Sequence, residues 1–235
     1  MFLLSIDSSS GYSSLLITDE NFNKISESVS DFHEKHSILI FKQLDGIMRK
    51  AGIKLSDLAG IAVILGPGSY TGIRVSLTIA KTLSYVLGIN ITGVESLLVC
   101  AYSLAKNRAG AEDIVAIKDA AKGRYYVSEY FAEKENFTQR FKISLLNMAE
   151  LKSFVENRAD KPYVVYGFNK ENDYEKFKAE IESINLPAPF DLKQSAYFAS
   201  MYALENGNRA NSSSSAQIKY AEELSPYYVY GNGPF

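Results

Sequence analysis

Apolar and polar positions follow one another in short blocks along the first third of the chain. Phe2 to Ile6 is apolar, Asp7 to Ser13 is polar, and Ser14 to Thr18 resumes a strand pattern, so the chain opens as a hairpin. A third strand is predicted over Lys24 to Val29, then a helix over His36 to Ala51, where the apolar spacing changes to three and four. Ile61 to Leu65 is a continuous apolar run, as expected of a strand covered on both faces. A glycine-rich turn follows, then a helix over Val75 to Leu87, a strand over Ile91 to Val94 and a helix over Ser96 to Lys106. The second half starts again as strand, turn and strand: Ile114 to Asp119, Lys122-Gly123, and Tyr125 to Tyr130. Helices are predicted over Leu146 to Glu156, Asn172 to Ile184 and Ser195 to Asn206, with a strand over Tyr163 to Tyr166 and a polar loop over Asn211 to Ser215. The chain therefore reads as α/β, with mixed sheets flanked by helices. Small and polar residues between Asn107 and Asp113 interrupt both patterns and suggest two units, 1–108 and 109–235.

The two N-terminal helices are apolar on more sides than one sheet can cover. In the first, Ile40, Leu44, Ile47 and Ala51 make one stripe and Ile38, Phe41 and Met48 a second, leaving Gln43, Gly46 and Lys50 on the remaining face. In the second helix, Ile73, Leu77, Ala80, Leu83 and Leu87 make one stripe and Val75, Ile79, Thr82 and Val86 another. Either the helices pack on each other, or their outer stripes form a protein interface. The candidate interface residues are Ile40, Leu44, Ile47, Met48, Arg74, Val75, Ile79, Thr82 and Val86. On that reading a charge at Ile47 or Ile79 would abolish partner binding and leave the fold intact.

The turn Gly66-Pro67-Gly68-Ser69-Tyr70-Thr71-Gly72-Ile73-Arg74 opens the second helix directly after a buried strand. Such a turn can cradle an anion through free amides and the helix dipole, or its glycines can simply permit a tight bend. It matches neither the Walker A pattern nor GxGxxG. Composition narrows the partners. The 235 residues are 46% hydrophobic and 22% charged, with a net charge of -2, which argues against a chain that grips nucleic acid unaided. A single cysteine, Cys100, excludes an internal disulfide and any cysteine-based zinc site. The first residues lack a basic leader, and no apolar run is long enough to span a bilayer, so a soluble cytoplasmic protein is expected. His33 and His36, three apart, are the only histidines and make a two-ligand metal site at most; no acyl-transfer triad assembles around Ser69.

Asp7-Ser8-Ser9-Ser10-Gly11 resembles the first phosphate loop of the actin and sugar-kinase superfamily, in which the acid organises a metal-bound phosphate. The resemblance implies a two-lobed actin-like ATPase fold of the ASKHA, ribonuclease H-like class. In that superfamily an Asp-x-Gly turn opens the second half. Here Asp119-Ala120-Ala121-Lys122-Gly123 keeps the acid and displaces the glycine, and Gly167 stands alone where a Gly-Gly pair would bind adenosine. Asp7, Ser8, Ser9, Gly66, Gly68, Ser69 and Gly72 then form a vestigial phosphate loop. This chain would need no cofactor of its own, with ATP or ADP confined to a partner interface.

Ile6-Asp7-Ser8-Ser9, His36-Ser37, Leu65 to Arg74 and Ala80-Lys81-Thr82-Leu83 together resemble the TsaB (YeaZ) family. The likeness covers roughly the first hundred residues and thins beyond. Asp119 with Tyr125-Tyr126 and the terminal Pro226-Tyr227-Tyr228 are similar to family stretches, whereas Ala121 and Arg124 depart from them. The paralogous transferase, TsaD, carries a metal-binding His-x-x-x-His where this chain reads Gly93-Val94-Glu95-Ser96-Leu97-Leu98-Val99, without histidine. The resemblance therefore implies a non-catalytic accessory subunit in forming threonylcarbamoyladenosine on tRNAs that read ANN codons. It would bind TsaD through the N-terminal helices, support the ATPase TsaE, form a homodimer when alone and meet tRNA only through the complex. The alternatives are a small ATP-dependent phosphotransferase or ATPase using Asp7 with the glycine turn, and a glycoprotease-like metallopeptidase using His33 and His36.

Overall fold

A computed structural model describes residues 1–31, 36–106, 108, 110–133, 136–158, 162–168, 171–181, 189–207 and 226. The first compact unit contains β1 (Phe2–Asp7), β2 (Tyr12–Asp19), β3 (Lys24–Asp31), α1 (His36–Ala51), a 3-10 turn (Leu55–Asp57), β4 (Leu58–Gly66), α2 (Tyr70–Leu87) and β5 (Asn90–Glu95). Its sheet runs β3-β2-β1-β4-β5, antiparallel across β3, β2 and β1 and parallel across β1, β4 and β5. The period of two along β1 sorts its side chains between the two faces of the sheet. Leu4 and Ile6 join the cluster of Leu15, Ile17, Val63 and Leu65 that α1 and α2 cover with Ile40, Leu44, Ile47, Leu77 and Ala80. Leu3 and Ala62 face the other way and meet Ala203 of a helix from the far end of the chain, α6 (Ser195–Gly207).

The second unit spans Leu97–Leu192. It holds α3 (Ser96–Ala105), β6 (Ala111–Asp119), β7 (Arg124–Glu133), β8 (Asn136–Asn147), α4 (Met148–Glu156), β9 (Tyr163–Phe168), α5 (Glu171–Glu180), β10 (Pro189–Asp191) and the start of a 3-10 turn, Leu192–Gln194. Its sheet runs β10-β9-β6-β7-β8. Val115, Ile117 and Val164 pack there under Leu151 and Val155 of α4 and Phe177 of α5. Both halves thus read β-β-β-α-β-α-β-α, and the last helix of each is counted with the other half's sheet. The boundary read from sequence, 108/109, differs for this reason. The polar stretch near 107–113 ends α3 without separating it from the second unit, where Cys100 lies so close to β9 that a Cβ on Gly167 would sit 3.0 Å from its sulfur. Likewise α6 rejoins the first sheet across nearly the whole sequence.

Strand β8 is a second difference. Apart from Leu146, its apolar residues Phe137, Phe141, Ile143 and Leu145 fall on a period of two, and the helix begins only at Met148. Asn147 caps it: its side chain accepts from the Glu150 amide at 3.0 Å while Glu150 accepts from the Asn147 amide at 2.7 Å. Part of the predicted 172–184 helix, and the Asn211 to Ser215 loop, lie outside the described residues.

Tyrosines are structural in both units. Tyr166 stacks on Phe177 at 4.0 Å, with Tyr125 at 5.3 Å from the same ring. Burial, reinforced by nearby carboxylates, raises the phenols of Tyr125 and Tyr166, and burial with Glu95 pushes Tyr202 of α6 up to about 12. A phenol in the unfolded chain ionises near pH ~10, so between there and pH ~12 only the unfolded state loses its proton. The tyrosine contribution to stability is therefore expected to be constant below pH ~10 and to fall steadily above it. Chemical denaturation across that range, with phenolate absorbance as a second probe, checks this; tyrosines that titrate before unfolding would contradict it.

Candidate functional site

The glycine turn and the Asp7 loop lean on each other. Gly66 takes a φ of 104°, which glycine adopts without strain, and the Gly66–Pro67 peptide is cis. Ser69 caps α2 by accepting from the Gly72 amide at 3.2 Å, and its own amide donates to the Ser9 carbonyl at 2.8 Å. The Ser8 hydroxyl donates to the Gly72 carbonyl at 2.6 Å, and Ser96 donates to the Pro67 carbonyl at 2.8 Å. Gly72 is needed where these segments touch: a Cβ there would run into the Ser8 carbonyl oxygen, with the carbonyl carbon at 2.9 Å.

Asp7 ends β1 on the face that α6 covers, and its side chain is buried. One carboxylate oxygen accepts from the Ser9 amide at 2.7 Å, and the other accepts from the Ser195 hydroxyl. In the second unit the Asp119 carboxylate accepts from the Ala121 amide at 3.0 Å. The turn it closes holds Ala121, Lys122 and Gly123 all at positive φ, so two side-chain-bearing residues stand where an Asp-x-Gly turn would expose bare backbone. Each acid accepts a backbone amide from its own loop, the Ser69 amide is used across to the Asp7 loop, and the Gly72 amide is used within the turn.

The two N-terminal helices present the other candidate surface. An open groove of about 350 Å³ lies between them, lined by Phe41, Tyr70, Arg74, Val75, Thr78, Ile79 and their neighbours. On these two helices Phe41, which lines the groove, is 57% exposed, and further along α2 Val86 is 71% and Tyr85 89% exposed. Arg74 lies 4.8 Å above the Tyr70 ring and donates to its hydroxyl at 2.7 Å, so a cation and an aromatic are held together at the groove.

The predicted interface residues divide. Arg74, Thr82 and Val86 are exposed and Val75 is half-buried. Ile40, Leu44, Ile47, Met48 and Ile79 are a correction: all five are buried in the cluster under the first sheet, and of them Ile79 alone also reaches the wall of the groove. Gln43, on the face left over from the two stripes, is also buried; it accepts from Ser13 at 2.6 Å and donates to Ser28 at 3.2 Å. Sequence reasoning missed Tyr70 and Tyr85 as surface residues and placed Phe41 with the stripe of Met48. The signal was a large aromatic outside the stripe that faces the sheet.

Ser69 acts as a helix cap. His33 lies outside the described residues, as do Tyr227 and Tyr228, and of His36 only the backbone is described, at the start of α1. Among the described residues no three His, Cys, Asp or Glu side chains gather as a metal site, and no helix is long and apolar enough to cross a membrane.

A family model described as TsaD, tRNA N6-adenosine threonylcarbamoyltransferase, matches residues 28–210. The chain belongs to this family. Within it the chain is similar to the TsaB (YeaZ) branch. The tRNA threonylcarbamoyladenosine biosynthesis protein TsaB of Bacillus subtilis (strain 168) is 32% identical over 131 residues, 55% of this chain and 55% of that protein. The chain thus spans about half the length of the curated relatives it matches. The structure of YeaZ from Pseudomonas aeruginosa superposes with a TM-score of 0.70 at 20% identity, over 97% of this chain and 99% of that one. The ROK hexokinase from Thermus thermophilus does so at 0.50 and 10% identity, over 89% and 100%. These likenesses establish the fold: two mixed five-stranded sheets flanked by helices, of the actin-like ATPase class.

Proposed function

We propose that this chain takes part in tRNA threonylcarbamoyladenosine biosynthesis as an accessory subunit that binds a TsaD-like transferase through the α1–α2 face. It works beside a TsaE-like ATPase, pairs with itself when alone, and meets tRNA only within the complex. The observation that carries this reading is the α1–α2 groove, where exposed aromatic and aliphatic side chains stand beside a buried core that already uses the helices' inner stripes. Two further points support an accessory role. The stretch from Gly93 to Val99 has no histidine where the paralogue's metal pair is expected, and Asp7 and Asp119 are both occupied locally. Any ATP or ADP is then held at the partner interface.

Reconstitution tests this. Cognate TsaD-like and TsaE-like subunits, with tRNA, ATP and a threonylcarbamoyl donor, are expected to modify tRNA at a high rate only when this chain is added. The chain by itself is expected to leave tRNA and magnesium-ATP unchanged. Full modification without it, or transfer by it alone, would overturn the reading.

A further inference from the structure

We infer that Asp7 is a positioning residue that clasps the start of α6 to the first sheet, in place of holding a metal-bound phosphate. Three contacts converge on one short segment. The Ser195 hydroxyl, at the first residue of α6, donates to Asp7. Ser14 is Asp7's direct partner across the β1–β2 ladder, so both side chains emerge on the same face; its hydroxyl donates to the Lys193 carbonyl at 3.1 Å. The Lys193 ammonium lies 4.6 Å over the ring of Tyr12, two residues along β2.

The rest of α6 explains why such a clasp is needed. Apart from Tyr202, the residues it buries beyond Ser195 are small: Ala196, Ala199, Ser200 and Ala203, with Ala62 on the sheet beneath. Small side chains bring helix and sheet close but remove little apolar surface from water. On the sheet side, Ser5 and Thr18 contribute buried hydroxyls with no hydrogen-bond partner among the described residues, so this contact gains less than an apolar one of the same area. Directional hydrogen bonds at the helix start then fix its register. A buried carboxylate suits that task, because charge-assisted hydrogen bonds are stronger than neutral ones and leaving one unmade is unfavourable.

The inference stands apart from partner binding, since no residue of the clasp borders the α1–α2 groove. It is tested on the full chain with Asp7→Ala, Asp7→Asn and Ser195→Ala, read by hydrogen exchange and by thermal shift with magnesium-ATP. Asn keeps the shape, still accepts from the Ser9 amide and can donate to the Ser195 oxygen. Asp7→Ala and Ser195→Ala are expected to speed amide exchange over residues 197–204 by roughly tenfold or more while β4 stays protected. Asp7→Asn is expected to retain most of the protection, and magnesium-ATP to leave the wild-type Tm in place. If Asp7→Ala does not fold, Ser195→Ala alone decides. Unchanged exchange in α6 of Ser195→Ala would overturn the inference. So would a magnesium-ATP stabilisation of wild type that Asp7→Asn removes and Ser195→Ala keeps.

Discussion

Gly72→Ala is expected to destabilise the protein by about 3 kcal/mol or more, although alanine is the better helix former by ~1 kcal/mol. The added methyl has no room. It collides with the Ser8 backbone, not with the movable end of a side chain, and Ser8 is itself tied to Gly72 by the hydroxyl-to-carbonyl bond of 2.6 Å. Either the start of α2 or the β1–β2 loop must shift, and the Ser69-to-Ser9 hydrogen bond lies between them. For a chain of this length the loss lowers Tm on the order of 10 °C. Calorimetry checks it. A Gly72→Ala protein as stable as wild type would mean that the two loops are not in close contact.

The second large effect separates the core from the surface. Ile47 and Ile79, which the stripe pattern put at an interface, are 2% and 4% exposed. A glutamate at either position brings an unpaired charge into the cluster beneath the first sheet, with an expected destabilisation of about 4 kcal/mol or more. Against a total stability of ~5–15 kcal/mol, that removes a large share of the margin by which the folded state is favoured. Val86→Glu, at 71% exposure, is expected to change stability by less than about 0.5 kcal/mol. Denaturant melts of the three variants side by side check the contrast, and a stable Ile47→Glu protein would place that side chain outside the core.

Much of the fold was legible because burial leaves a period. The Ile61 to Leu65 run located β4, and the spacing from His36 to Ala51 matches α1 end to end. The same helical spacing misled the search for an interface. A stripe marks what a helix buries, and here the sheet buries it, so the surface available to a partner lies at Phe41, Tyr85 and Val86, off the inner stripe. Strand β8 was not predicted, because the five polar or charged residues Thr138, Gln139, Arg140, Lys142 and Ser144 between Phe137, Phe141, Ile143 and Leu145 masked the alternation. The Asp7 to Ser195 contact was not legible at all. Nothing local to Asp7 records that a helix nearly the whole chain away supplies its hydrogen-bond donor, because such pairings are fixed only by the topology that brings α6 under β1.

The most direct test of a partner-docking role is calorimetric titration of the cognate TsaD-like subunit with the full chain, wild type against the double variant Phe41→Glu, Val86→Glu. The expected result is saturable binding by wild type, weakened by about a hundredfold or more in the double variant, with its Tm unchanged. A double variant that binds as tightly as wild type, or a wild-type chain that does not bind, would contradict the account.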